Sequence, residues 1–128
     1  MTISYKMIQR VEPGEKGGGK RASYPSIKIN KTIGPDDFIE LLYKQFHIPK
    51  VDAFRVMIAM SEVLKEQILN GNILQFKDLG SFYPRLRYHG EPDVKQIKQD
   101  DLELGIGFRP LLHLKKELSV AKFIKVKD

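Results

Sequence analysis

Gly14, Gly19 and Lys20 lie at the spacing of a phosphate-binding loop, Gly-x4-Gly-Lys, whose backbone N–H groups cradle phosphate while the lysine reaches its outer oxygens. Two further requirements of that chemistry fail. The next position, which should offer a hydroxyl to magnesium, is Arg21, and Ser23-Tyr24-Pro25 follows where a helix should start. A flexible turn is the better reading. The three histidines, His47, His89 and His113, share no metal-ligand spacing with one another or with a carboxylate pair on one helix face. Asp100-Asp101 could form paired carboxylates but suits an exposed turn or a helix cap. With no cysteine, there is no thiolate nucleophile or metal ligand. These residues predict no enzyme, no metal and no cofactor.

The remaining chemistry is positive charge. The 128 residues carry a formal +6, with a pI near 9.5, and a basic balance favours polyanionic partners where the charge is clustered. It is clustered at the ends: residues 1–31 carry +5 and residues 108–128 carry +4, while 32–82 carry −2 and 83–107 carry −1. The densest basic region surrounds Arg109, Lys115, Lys116, Lys122, Lys125 and Lys127. No stretch approaches the roughly 18 apolar residues of a membrane-spanning helix, and the start of the chain has no apolar run of signal-peptide length. A cytoplasmic protein with no membrane and no small-molecule substrate is expected.

Hydrophobic spacing outlines the elements that must position these charges. Ile3–Arg10 and Ala22–Ile29 read as two strands of an N-terminal hairpin, with Ile3, Tyr5 and Met7 on one face and Pro25 marking an edge. Gly34-Pro35-Asp36-Asp37 reads as a helix start, and His47-Ile48-Pro49 as a break before a second helix that ends near Leu69. That second helix is apolar over more of its circumference than one stripe, so it needs cover on more than one side. Asn70-Gly71-Asn72 supplies its stop. Ile73–Tyr88 reads as two strands about a turn at Lys77–Gly80, with Leu74, Phe76 and Phe82 toward a core. Leu104–Phe108 reads as a returning strand that Gly105 and Gly107 weaken and bend, Pro110–Val120 as a helix, and Ala121–Lys127 as a final strand. Between them, Pro92–Asp101 suits a short helical turn.

Leu79-Gly80-Ser81-Phe82 and, after residues 83–107, Phe108-Arg109-Pro110 and Leu114-Lys115 resemble, in order and spacing, motifs of the HU/IHF family of histone-like DNA-binding proteins. The resemblance covers residues 33–119. The opening Tyr5–Arg10 and the closing Ala121–Val126 resemble Bacteroidetes-type HU-like variants that add an N-terminal strand pair.

The resemblance implies an α+β, HU/IHF-like intertwined dimer: a helical hairpin, a β-sheet with a protruding β-arm, a C-terminal helix, and an N-terminal β-hairpin extension. The expected division is residues 1–31 for the extension and 32–128 for the HU-like domain. The implied function is non-sequence-specific, nucleoid-associated binding of duplex DNA by a homodimer, through Arg85, Arg87, Pro92, Lys95, Lys98, Arg109, Lys115 and Lys116. In the family, basic arms embrace the duplex and a proline near each tip wedges between base steps. Here Pro92 lies between Glu91 and Asp93, and Leu111-Leu112 replaces a usual Gly-Lys. That acidic arm supports a rival reading, an HU scaffold that no longer bends DNA and binds a protein or an acidic polysaccharide.

Overall fold

The computed structural model describes residues 1–11 and 21–127, the side chain of Val11 excepted. In chain order its elements are β1 (Thr2–Val11), β2 (Arg21–Ile27), α1 (Pro35–Phe46), α2 (Lys50–Leu69), β3 (Leu74–Phe76), β4 (Gly80–Tyr88), β5 (Leu102–Pro110), α3 (Leu112–Leu118) and β6 (Lys122–Lys125). A 3-10 turn, Gln99–Asp101, precedes β5. Contacts divide the chain into two compact units, Met1–Gly34 with Leu118–Asp128, and Pro35–Glu117.

The first unit is a three-stranded sheet in the order β2-β1-β6. β1 pairs antiparallel with β2, in the register Tyr5↔Ile27 and Met7↔Pro25, and parallel with β6, in the register Ile3↔Phe123. Successive side chains in a strand alternate faces, so Ile3, Tyr5, Met7, Pro25, Ile27 and Phe123 share one side. Pro25 sits on the edge strand, where its missing N–H costs no inner ladder bond. The expected domain of residues 32–128 placed the tail with the helices. In the structure the tail strand pairs with β1 instead, so the chain's two ends build one sheet. The expected turn and phosphate-loop-like segment, residues 12–20, lies outside the described residues. Arg21 opens a strand.

The second unit begins with the helical hairpin. Pro35 tolerates the first turn of α1 because its absent N–H would be unpaired there, and Asp36 and Asp37 complement the helix dipole. His47 ends the helix in a left-handed conformation (φ 57). Glu40 on α1 then reaches Lys50 at the start of α2 (2.6 Å), and Lys50 Nζ lies 5.3 Å from the Tyr43 ring centroid. This exposed cluster bridges the two helices across their turn. Lys50 holds the Glu40 carboxyl below its ordinary range, chiefly by hydrogen bonding.

α2 ends in a Schellman turn. Asn72 N–H donates to the Gln67 carbonyl (2.9 Å) and Gly71 N–H to that of Ile68 (3.0 Å), with Gly71 at φ 77. The chain then enters an antiparallel sheet in the order β3-β4-β5. Phe82 is paired with Phe108 in register, their rings 4.9 Å apart, and Phe76 meets Phe82 edge-on at 5.7 Å. α3 is shorter than the expected Pro110–Val120. Pro110 stays in β5 opposite Gly80, and the Leu111 amide donates to the Leu79 carbonyl (3.1 Å), which prolongs the strand pairing past Pro110.

Gly80 is where this sheet closes. A Cβ there would collide with the Arg109 carbonyl oxygen and stand 2.8 Å from the Phe108 ring. Gly80→Ala is therefore expected to cost about 1–3 kcal/mol or more of stability, read as a fall in the midpoint of denaturant unfolding with an unchanged slope.

Candidate nucleic-acid interface

The register of β4 against β5 sorts the ribbon into two chemically opposite faces. Pairs run Ser81↔Arg109, Tyr83↔Gly107, Arg85↔Gly105 and Arg87↔Glu103 on one face, alternating with Phe82↔Phe108, Pro84↔Ile106, Leu86↔Leu104 and Tyr88↔Leu102 on the other. The first face gathers Arg85, Arg87 and Arg109. The second is a continuous apolar strip.

The glycines shape the arginine face. A Cβ on Gly107 would collide with the Tyr83 ring, so the ring packs against the opposite backbone. From there it carries the Arg109 guanidinium, 5.2 Å from its centroid, a cation–π geometry that holds the charge in place. Gly105 stands opposite Arg85, where a Cβ would just touch Arg85 and the Arg87 side chain at 3.8 Å. The sequence suggests a weakening bend at these glycines; the structure shows Gly107 admitting an aromatic ring and Gly105 lying beside Arg85 and Arg87.

The face changes toward its tip. Glu103 stands opposite Arg87, and His89 Nε2 donates to Glu103 Oε2 (2.9 Å). The His89 amide donates to the Asp101 carbonyl (2.8 Å), closing residues 89–101 into a loop rather than a longer ribbon. The Tyr88 ring folds over Gly90, and its hydroxyl donates to the Glu91 carbonyl. Pro92 follows, exposed, beside Asp93 at φ 61. Lys95 and Lys98 extend from the same loop, and the 3-10 turn Gln99–Asp101 matches the short helical turn that the sequence suggests.

Lys115 and Lys116 lie in the last turn of α3, where a cation complements the negative helix end, and His113 contacts Glu117 (2.8 Å) on the same helix. All eight residues expected to contact DNA thus fall in the second unit. Arg85, Arg87 and Arg109 share one surface; Pro92, Lys95 and Lys98 form the tip loop; Lys115 and Lys116 belong to a separate helix. Among the described residues, no group of three or more His, Cys, Asp or Glu side chains is placed to hold a metal ion, and no helix is long and apolar enough to cross a membrane.

Tyr83, which is not among the eight expected residues, packs on the ribbon against Gly107 and carries Arg109. Its signal was the strict two-residue alternation of 81–87, read together with the glycines at 105 and 107.

A sequence profile describing an HU domain fused to a winged helix-turn-helix, an immunoglobulin-like or a glycine-rich motif matches residues 1–125. The chain belongs to this HU-HIG family. A proposed bacterial DNA-binding protein from Bacteroides vulgatus ATCC 8482 is similar in fold over 98% of this chain, at a TM-score of 0.70 and 10% identity. The chain spans about half, 48%, of that protein's length. Anabaena HU, in its cocrystal with DNA, is similar over 65% of this chain and 94% of its own, at a TM-score of 0.51 and 17% identity. Among curated proteins, no sequence relative matches. The HU-like α+β fold expected from the paired motifs is therefore present. In this HU-HIG protein the arm is a nine-residue strand pair closed by a folded loop.

The tip has a pH signature. The Glu103 carboxyl is held below its ordinary value of 4.5, first by the hydrogen bond from His89, then by the charges of His89 and Arg87. A depressed carboxyl contributes stability that is present above its ordinary value and lost as pH falls through the lowered one. Hydrogen exchange at the His89 amide is thus expected to be faster in Glu103→Ala than in wild type at neutral pH. The two should converge in acid below the lowered value. Equal protection at neutral pH would show that the contact does not hold the tip.

Proposed function

We propose that this protein is an architectural DNA-binding protein of HU type. It acts as a homodimer, without sequence preference, through contacts to phosphate. One observation carries the reading: in an HU-like fold, strand alternation collects Arg85, Arg87 and Arg109 on one ribbon face with a stacked tyrosine. The Anabaena relative's own cocrystal with DNA supports carrying the activity over.

Guanidinium groups suit this task because their planar fork matches phosphate oxygens. Arg85 is the least encumbered, with Gly105 opposite; Arg109 is oriented by Tyr83; Arg87 is partly neutralised by Glu103. Lys115 and Lys116 add contacts from α3. At the tip, Lys95 and Lys98 reach the backbone, while Glu91 and Asp93 beside Pro92 repel phosphate and oppose deep insertion. Shallow bending, held by backbone contacts, follows from that charge pattern.

The homodimer is supported by what the single chain fails to cover. Ile39, Ala53 and Ile68 are the buried apolar residues among those described, while Phe54, Val56, Ile58, Met60 and Val63 along α2 remain 43% to 55% exposed. Leu86 on the apolar ribbon face is 72% exposed. Obligate homodimers bury about 2,000–5,000 Å² of such surface, and a helix apolar on several sides is a natural seam.

Two measurements test this. Binding to mixed-sequence duplex should weaken linearly in a plot of log affinity against log salt, each phosphate contact contributing a slope of about −0.9. The triple variant Arg85→Ala, Arg87→Ala, Arg109→Ala should flatten it by about 2–3. A salt-independent wild type would remove the proposal. Sedimentation should return a dimer at micromolar concentration, dissociated or unfolded by Val63→Glu; a compact wild-type monomer would refute the assembly.

A further inference from the structure

The positive charge of this chain does not reside in the HU-like unit. Pro35–Glu117 holds twelve Lys/Arg against thirteen Asp/Glu, a formal −1, whereas Met1–Gly34 with Leu118–Asp128 holds ten against three, a formal +7. On the strands of this sheet unit the charged residues are Lys6, Arg10, Arg21, Lys122 and Lys125, all cations.

Register gives that charge a direction. One side of β2-β1-β6 carries the apolar Ile3, Tyr5, Met7, Pro25, Ile27 and Phe123, with Arg21 and Lys125 as its cations. The opposite side carries Lys6 and Arg10 on β1 and Lys122 on β6, opposite Thr2. Lys28 joins them, because its amide donates to the Ser4 carbonyl (2.9 Å) and so continues the β1–β2 register by one step. All four are exposed. Between them lie the hydroxyls of Ser4, Ser26 and Tyr24, with Ile8 and Ile124 as the large apolar members of this side. From the level of Lys122 to that of Arg10 is eight residues along β1, about 26 Å at the rise of a strand. DNA presents a phosphate roughly every 3.4 Å along each strand, so the span faces several.

We propose that this face of the terminal sheet is a second phosphate-binding surface of the protein, separate from the ribbon, and that it grips the backbone of duplex DNA. The inference rests on the DNA-binding function proposed above and moves a large share of its electrostatics to the appended unit. A membrane surface fits less well, because interfacial binding needs large apolar side chains beside the cations, and most of these are gathered on the other side. A protein partner would require an apolar centre to its patch, and the same separation argues against one.

The test compares full-length proteins binding a mixed-sequence duplex by fluorescence anisotropy across a salt series. The variant Lys6→Gln, Arg10→Gln, Lys28→Gln, Lys122→Gln should flatten the log–log slope by about 3–4, and the conservative set Lys6→Arg, Arg10→Lys, Lys28→Arg, Lys122→Arg should retain it. Should the fourfold variant not fold, Lys28→Gln and Lys122→Gln alone should each lower the slope by about 1. A wild type that binds steeply, with sheet variants of unchanged slope, would overturn this inference and leave the proposed function standing. A wild type that ignores duplex DNA would overturn both. Unchanged binding by the ribbon triple variant, with loss in the sheet variant, would support the sheet face and reject the ribbon. Capture by phosphatidylserine vesicles with no response to duplex would also reject the sheet proposal.

Discussion

A strand pair can put its charges on one side only if its register never slips, and the β4–β5 ribbon depends on that constraint throughout. Shifting one strand by a single residue would exchange every inward and outward side chain of that strand. Arg85 would then face with Ile106 and Leu104 rather than with Gly105, and the arginine face would dissolve into the apolar one. Three features pin the register. Gly80 allows the Arg109 carbonyl and the Phe108 ring to approach. Phe82 pairs with Phe108 at 4.9 Å. Gly107 admits the Tyr83 ring. The first two are packing features of the core and the third belongs to the charged face, so stability and chemistry are fixed by the same alignment.

The Phe cluster and the helical hairpin are linked through the end of α2. Gly71 reverses the chain in a left-handed turn, and Ile68, one turn earlier, is among the few buried side chains. The chain thus enters β3 immediately after its longest helix. Whatever covers the exposed side of α2 therefore also steadies the base of the ribbon. On the proposed dimer, the two ribbons inherit their spacing from that helical seam, which makes assembly a precondition for presenting two arginine faces to one duplex.

Much of this was legible in the sequence because its signals are local. Pro35-Asp36-Asp37 and Asn70-Gly71-Asn72 punctuate helices by backbone chemistry that needs no tertiary information, and the Leu79–Phe82 and Phe108–Pro110 strings fix the sheet between them. The pairing of the tail with β1 was not legible. A parallel pairing between the first and last few residues leaves no turn or loop length to read, and Lys122–Lys125 shows only alternation, which any strand shows. The role of Gly105 and Gly107 was hidden for a related reason. A glycine in a strand signals either weakness or close approach, and the ring that decides between them, Tyr83, lies more than twenty positions away. The site suffered most from this. Charge counted along the chain showed basic ends, but not that the two ends are one surface.

That surface explains how a basic protein can build a nearly neutral HU-like unit. On the proposed dimer, two copies meeting along α2 would bring like charges together, and a large net charge on each would oppose compact association. A unit at −1 avoids most of that cost, and the ribbon's three arginines remain because Glu103 and the acidic tip offset them locally. The cations needed for long-range attraction to a polyanion are instead placed on a sheet made from the chain's two ends. There they repel one another only within a small unit, and the proposal gives one of its faces to the duplex. Acidic residues at the arm, which look like a defect in a DNA-binding protein when that arm is considered alone, would favour the proposed assembly if the appended sheet carries the charge.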